Sequence, residues 1–146
     1  MRRIQRDTRH EDFIQELTKG EKPLFKEIWR LLLFAASIGV HNQKRTPLVN
    51  IETGKNIPEN YFSSPGWPGF LYLIGVADSA DSTCLKAGTA EHEELVTQFE
   101  EYANHGLDLL RRRVDASPTP LDGCVALLLE VTDAPQGGAA VVEDLI

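Results

Sequence analysis

Cysteine is scarce in this chain of 146 residues: Cys84 and Cys124 stand far apart, in no CxxC or Cys/His spacing, so a zinc site has no support. Long apolar runs are also missing. The longest, LLLFAASIGV at 31–40, falls well short of the roughly 20 residues that cross a bilayer. MRRIQRDTRHEDF passes from basic to mixed charge without an apolar stretch, so no signal peptide is read and a cytoplasmic location is expected, with no membrane partner. No GxSxG, P-loop, GxGxxG or HExxH stretch is present, so no catalytic residue, metal or cofactor is assigned. Internal repeats and low-complexity tracts are absent too. Beyond Arg113 there is no Lys or Arg, only six acids, and no aromatic follows Tyr102, which makes the C-terminal third a separate compositional region.

What is present is ordinary for one folded domain: 42% hydrophobic and 25% charged residues, with enough Phe, Tyr and Trp to fill a core. The net charge of −7 hides an asymmetry. Residues 1–48 carry ten Lys and Arg against six Asp and Glu, a balance of +4, whereas residues 49–146 carry five against sixteen, a balance of −11.

Helical periodicity dominates. Thr8-Arg9-His10-Glu11 has the form of a capping box, and Phe13, Ile14 and Leu17 follow as one apolar stripe that Gly20 ends. Pro23 is read as opening a second helix over 24–39, apolar around most of its circumference, with Trp29 in its packing and Lys26, Glu27 and Arg30 as a polar mark near its start. Residues 40–69, rich in Asn, Gly and Pro, read as a long ordered loop with a brief strand at 48–52, and 70–80 as a further buried helix. Between 90 and 115, Leu95, Phe99, Tyr102 or Ala103, Gly106, Leu107, Leu110 and Val114 recur every three or four residues, the strongest helix signal in the chain. Pro118 and Pro120 then break the chain before an apolar element at 121–132 of undetermined type. The expected fold is mainly α: a single compact helical domain over 1–133 with a long ordered loop and one or two short strands, then a C-terminal tail over 134–146 whose order is left open.

Three constellations invite a functional reading. Basic groups cluster at Arg2, Arg3, Arg6 and Arg9, at Lys44 and Arg45, and at Arg111, Arg112 and Arg113, and phosphate contacts need charge more than spacing. Arg2, Arg3, Arg6, Lys44, Arg45, Arg111, Arg112 and Arg113 are therefore the candidate nucleic-acid contacts. The competing reading is solvated surface, with the triple arginine completing a helix dipole and its stems covering apolar neighbours. His105 lies beside Gly106, a residue that costs a helix roughly 1 kcal/mol against Ala and so marks a close approach of another element. With no carboxylate or second His at helical spacing, His105 reads as the rim of a tight crossing, not a ligand. The interval Arg3 to His10 formally fits the endoribonuclease spacing of HEPN domains, but Arg3 precedes the helix start instead of projecting from a helix.

The order RHEDFIQELTKG, PLFKEIWRLLLFAASIGVHNQKRTPL and FEEYANHGLDLLRRR resembles the DNA phosphorothioation (Dnd) system-associated protein 4 family. The resemblance implies an accessory role in phosphorothioation-linked defence and no enzymatic activity; the expected function is a non-enzymatic adaptor with protein subunits of a DNA modification or restriction complex as partners, and duplex DNA would be touched by the basic side. Asn104-His105-Gly106 resembles a YANGG-like step of that family, with His105 in place of a small residue, which makes Gly106 the more informative position. A small DNA-binding regulator of the same locus is the alternative, and a HEPN-like ribonuclease a more distant one. Oligomeric state is left open.

Overall fold

The computed structural model describes residues 3–58 and 90–132, and over these the fold is mainly helical. The chain divides into two compact units, Met1–Leu107 and Asp108–Ile146. The helix expected over 70–80 and the tail over 134–146 lie outside the described residues.

In the first unit, strand β1 (Arg3–Ile4) pairs antiparallel with β2 (Ile57–Pro58), Arg3 facing Pro58 and Ile4 facing Ile57. Both isoleucines are buried. Helix α1 (Glu11–Thr18) turns Phe13, Ile14 and Leu17 into the core, each such burial contributing about 1.5–3 kcal/mol. Its start departs from the capping-box reading. A short 3-10 turn, Thr8–His10, precedes α1 and is capped by Asp7, whose carboxylate accepts from the Arg9 N–H, while Glu11 faces Arg6. Past α1 the chain reverses at Gly20, whose φ of +101° lies in the left-handed region that glycine enters without a Cβ penalty.

Helix α2 (Ile28–Asn42) begins and ends later than Pro23 and Gly39 suggest. Glu27 is still extended, at φ −141° and ψ 146°, and Gln43 ends the helix in the left-handed region at φ 55°. Gly39 is thus an interior residue of α2, and its purpose is packing. A Cβ on Gly39 would meet the Tyr102 backbone, its carbonyl carbon at 2.9 Å and its Cα at 3.0 Å. A Cβ on Gly106 would likewise overlap the Ala35 carbonyl and lie 2.9 Å from the Ala35 Cα. Ala35 and Gly39 on α2 thus face Tyr102 and Gly106 on helix α3 (Ala90–Asp115), each set one helical turn apart, and the two backbones touch. Leu95, Val96, Phe99 and Leu107 bury the rest of that α3 face.

In the second unit the last turns of α3 lead through a short turn into helix α4 (Pro120–Thr132), so the apolar element at 121–132 is a helix. Thr119 starts it: its hydroxyl accepts from the Asp122 N–H at 3.2 Å, and Pro120 occupies the first turn, where no N–H is needed. Gly123 again serves close approach, since a Cβ there would lie 2.6 Å from the Val114 Cα. Cys124 is a buried free thiol, and burial pushes its pKa up to about 11. No helix among the described residues is long and apolar enough to cross a membrane.

Candidate functional site

In the first unit, residues 44–51 run as an irregular strap fastened to α3 and to the N-terminal segment. The strand read at 48–52 is reduced to a single bridge between Asp7 and Ile51. Asn104, 2% exposed on α3, donates its amide to the carbonyls of Thr46 (3.0 Å) and Pro47 (3.3 Å). The Thr46 N–H donates to the Glu101 carbonyl at 3.1 Å, and the Thr46 hydroxyl lies 3.2 Å from His105 Nδ1. His105, half-buried, therefore sits where the strap crosses α3.

Asp7 holds the other end. Its carboxylate, 1% exposed with its residue, accepts from Val49 N–H at 2.8 Å and Arg9 N–H at 3.1 Å. Burial alone would raise its pKa, but the backbone donors of Val49, Arg9 and Asn50, with the Arg9 charge, outweigh burial and hold the carboxyl below its ordinary value. Glu11 behaves alike: burial raises it, but the hydrogen bonds of Arg6 and Gln15 together with the charges of Arg6 and Lys55 outweigh burial and hold it below its ordinary value. Glu100, buried on α3, accepts from the Gln5 N–H at 2.6 Å. These polar groups fix the strap and the N-terminus onto α3.

The candidate phosphate contacts are mostly engaged within the protein. Arg2 lies outside the described residues. Arg3 donates to the Asn56 side chain and carbonyl, while Arg6, its side chain only 7% exposed, binds Glu11 at 3.0 Å and donates to the Lys55 carbonyl. Arg45 stands 3.9 Å from Glu101 and lies over the Tyr102 ring at 5.8 Å, and Lys44 beside it is exposed. In the second unit Arg111 pairs with Asp115 at 3.8 Å, Arg113 pairs with Glu130, and Arg112 is exposed. The structure brings Arg3 and Arg6 to one short segment, 55–56, and keeps Lys44 and Arg45 on the strap. Arg111, Arg112 and Arg113 belong to the other unit.

Trp29, buried on the first turn of α2, donates its indole N–H to Glu27 and carries the Arg30 guanidinium over its ring at 5.1 Å. Of the nuclease-spaced pair, Arg3 is exposed on β1, whereas His10 is buried just before α1. No group of three His, Cys, Asp or Glu among the described residues is arranged to hold a metal. The polar anchors Asp7 and Glu100 were missed from sequence, although Glu100 carries a signal, an acid next to Phe99 on an apolar seam.

The sequence model of the family described as DNA sulphur modification system-associated protein 4 matches residues 3–143, nearly the whole chain. The chain belongs to that family. The family's name associates it with a DNA sulphur modification system. No curated protein and no solved structure matches the chain. In this DNA sulphur modification system-associated protein 4, the close crossing at Gly106 and the strap over Asn104 and His105 meet on one stretch of α3.

Proposed function

We propose that this protein is a non-enzymatic adaptor of a bacterial DNA phosphorothioation-linked modification or restriction system, working in anti-phage defence through protein contacts. Family membership supports the system, and one structural observation supports the adaptor role. Arg6 is held by Glu11 with both side chains largely buried, and Arg45, Arg111 and Arg113 pair with Glu101, Asp115 and Glu130, so carboxylates already offset part of the positive field that phosphate would need. Partner proteins drawn from the same system fit this reading better than duplex DNA does. The deep burial of His10 likewise speaks against the ribonuclease reading.

Affinity purification from the native host, with mass spectrometry of what co-purifies, tests it. Recovery of modification or restriction subunits is expected, and recovery of none contradicts the proposal. The regulator alternative draws on the exposed Lys44 and Arg112. It requires duplex binding with a steep salt dependence that flattens when Lys44 and Arg45, or Arg111 to Arg113, are replaced. Absence of binding at low salt removes it.

A further inference from the structure

A half-open cleft of about 410 Å³ runs along α2. One wall is a single helix face, Arg30, Leu33, Phe34 and Ser37, at the spacing of neighbours on a helix surface. The other is Leu24, Phe25 and Lys26, tied back by the Phe25 N–H donating to the Leu17 carbonyl at 3.0 Å. Phe25 and Phe34 meet at 5.5 Å between centroids, tilted by 48°, and form the aromatic end of the groove.

Among the described residues the lining is apolar except for Ser37 and two exposed cations, Lys26 and Arg30, and contains no acid. The carboxylate beside Arg30 is that of Glu27, at 3.7 Å with both side chains about half exposed, a pair that a better placed carboxylate readily displaces. The volume lies within the roughly 300–1,000 Å³ of ligand-binding clefts, and the α2 wall from Arg30 to Ser37 is about two helical turns long.

We propose that this cleft is the docking site for a short acidic amphipathic helix of a partner protein. Two or three apolar side chains a turn apart seat against the part-exposed Phe25 and Phe34, and carboxylates on the helix flank meet Lys26 and Arg30. The proposal rests on the adaptor reading and gives it a surface. Apolar anchors set one or two turns apart are how amphipathic helices fill grooves, and Lys26, with Arg30 once it exchanges Glu27 for a carboxylate of the partner, selects the charge of the flank.

Fluorescence anisotropy with two labelled synthetic peptides tests it, each about three turns long with leucines at i, i+4 and i+7, one flanked by glutamates and one by lysines. The acidic peptide is expected to bind about tenfold more tightly than the basic one. The double variant Lys26→Glu, Arg30→Glu is expected to reverse that preference, and Phe34→Ser to weaken both peptides, with thermal unfolding confirming that each variant is folded. Equal binding of the two peptides, indifference to both variants, or saturation by decanoate with no peptide binding overturns the proposal. Native-host purification separates this from the parent reading. System subunits recovered equally with the double variant would overturn the cleft and leave the adaptor, whereas charge-selective peptide binding with no subunit recovered would support the cleft and remove the adaptor.

Discussion

Helix α2 has two working faces that are built in opposite ways. On one, Ala35 and Gly39 let the α3 backbone approach until a single added methyl would collide with it. On the other, Leu33 and Phe34 stand opposite Leu24 and Phe25 and leave about 410 Å³ unfilled. Small residues close the first face and large ones hold the second open. An apolar helix therefore need not be packed equally closely around its whole circumference.

Substitutions separate the faces. Gly39→Val forces a branched side chain against the Tyr102 backbone, which cannot rotate away, and a loss of more than about 3 kcal/mol in denaturant unfolding is expected. Unchanged stability would mean that the crossing is loose. On the α3 side of the same face, Asn104→Ala removes the amide donor from two strap carbonyls, an expected loss of about 1–3 kcal/mol, with faster hydrogen exchange at Thr46.

Asp7→Asn tests the far end of the strap through pH. Asp7 and Glu11 titrate below their ordinary values in the folded chain, so their contribution is full above the unfolded carboxylate range. It is lost as pH falls through the lower folded values. The wild type should therefore lose stability below about pH 4 more steeply than the variant, and parallel curves would show that Asp7 is not the group responsible.

The open face should be quieter. Lys26→Ala and Arg30→Ala are each expected to change stability by no more than about 0.5 kcal/mol, and a larger loss would make the cleft a structural element. In the second unit, Arg113→Ala breaks a pair whose side chains are both about half exposed, and the expected loss is at most about 1 kcal/mol, smaller at high salt.

What the sequence disclosed follows the range of the interactions involved. The helix from 90 to 115 was legible because its apolar spacing repeats over about five turns, and the alternation of buried Leu95, Phe99 and Leu107 with exposed Glu93 and Glu94 follows from that period alone. Gly106 was legible as a close approach because glycine inside a helix is costly, but its partner Ala35 was not, being distant in the chain. Local rules failed where tertiary bonds overrode them. Pro23 suggested a helix start, yet the chain stays irregular until Glu27 while Phe25 bonds to Leu17. Thr8 and Glu11 suggested a capping box, yet Glu11 is taken by Arg6 and the Thr8 N–H by Asn50. The surroundings of the basic clusters were out of reach for the same reason. Arg45 and Arg113 are quenched by Glu101 and Glu130, acids that no short window associates with them.

The most direct measurement of the contrast between the faces is equilibrium unfolding of Gly106→Ala. Within an unobstructed helix this change stabilises by up to about 1 kcal/mol, because alanine restricts the unfolded chain and favours the helix. Here the methyl would enter the Ala35 carbonyl, so a loss of more than about 2 kcal/mol is expected. A gain in stability would contradict the close crossing on which both faces of α2 depend.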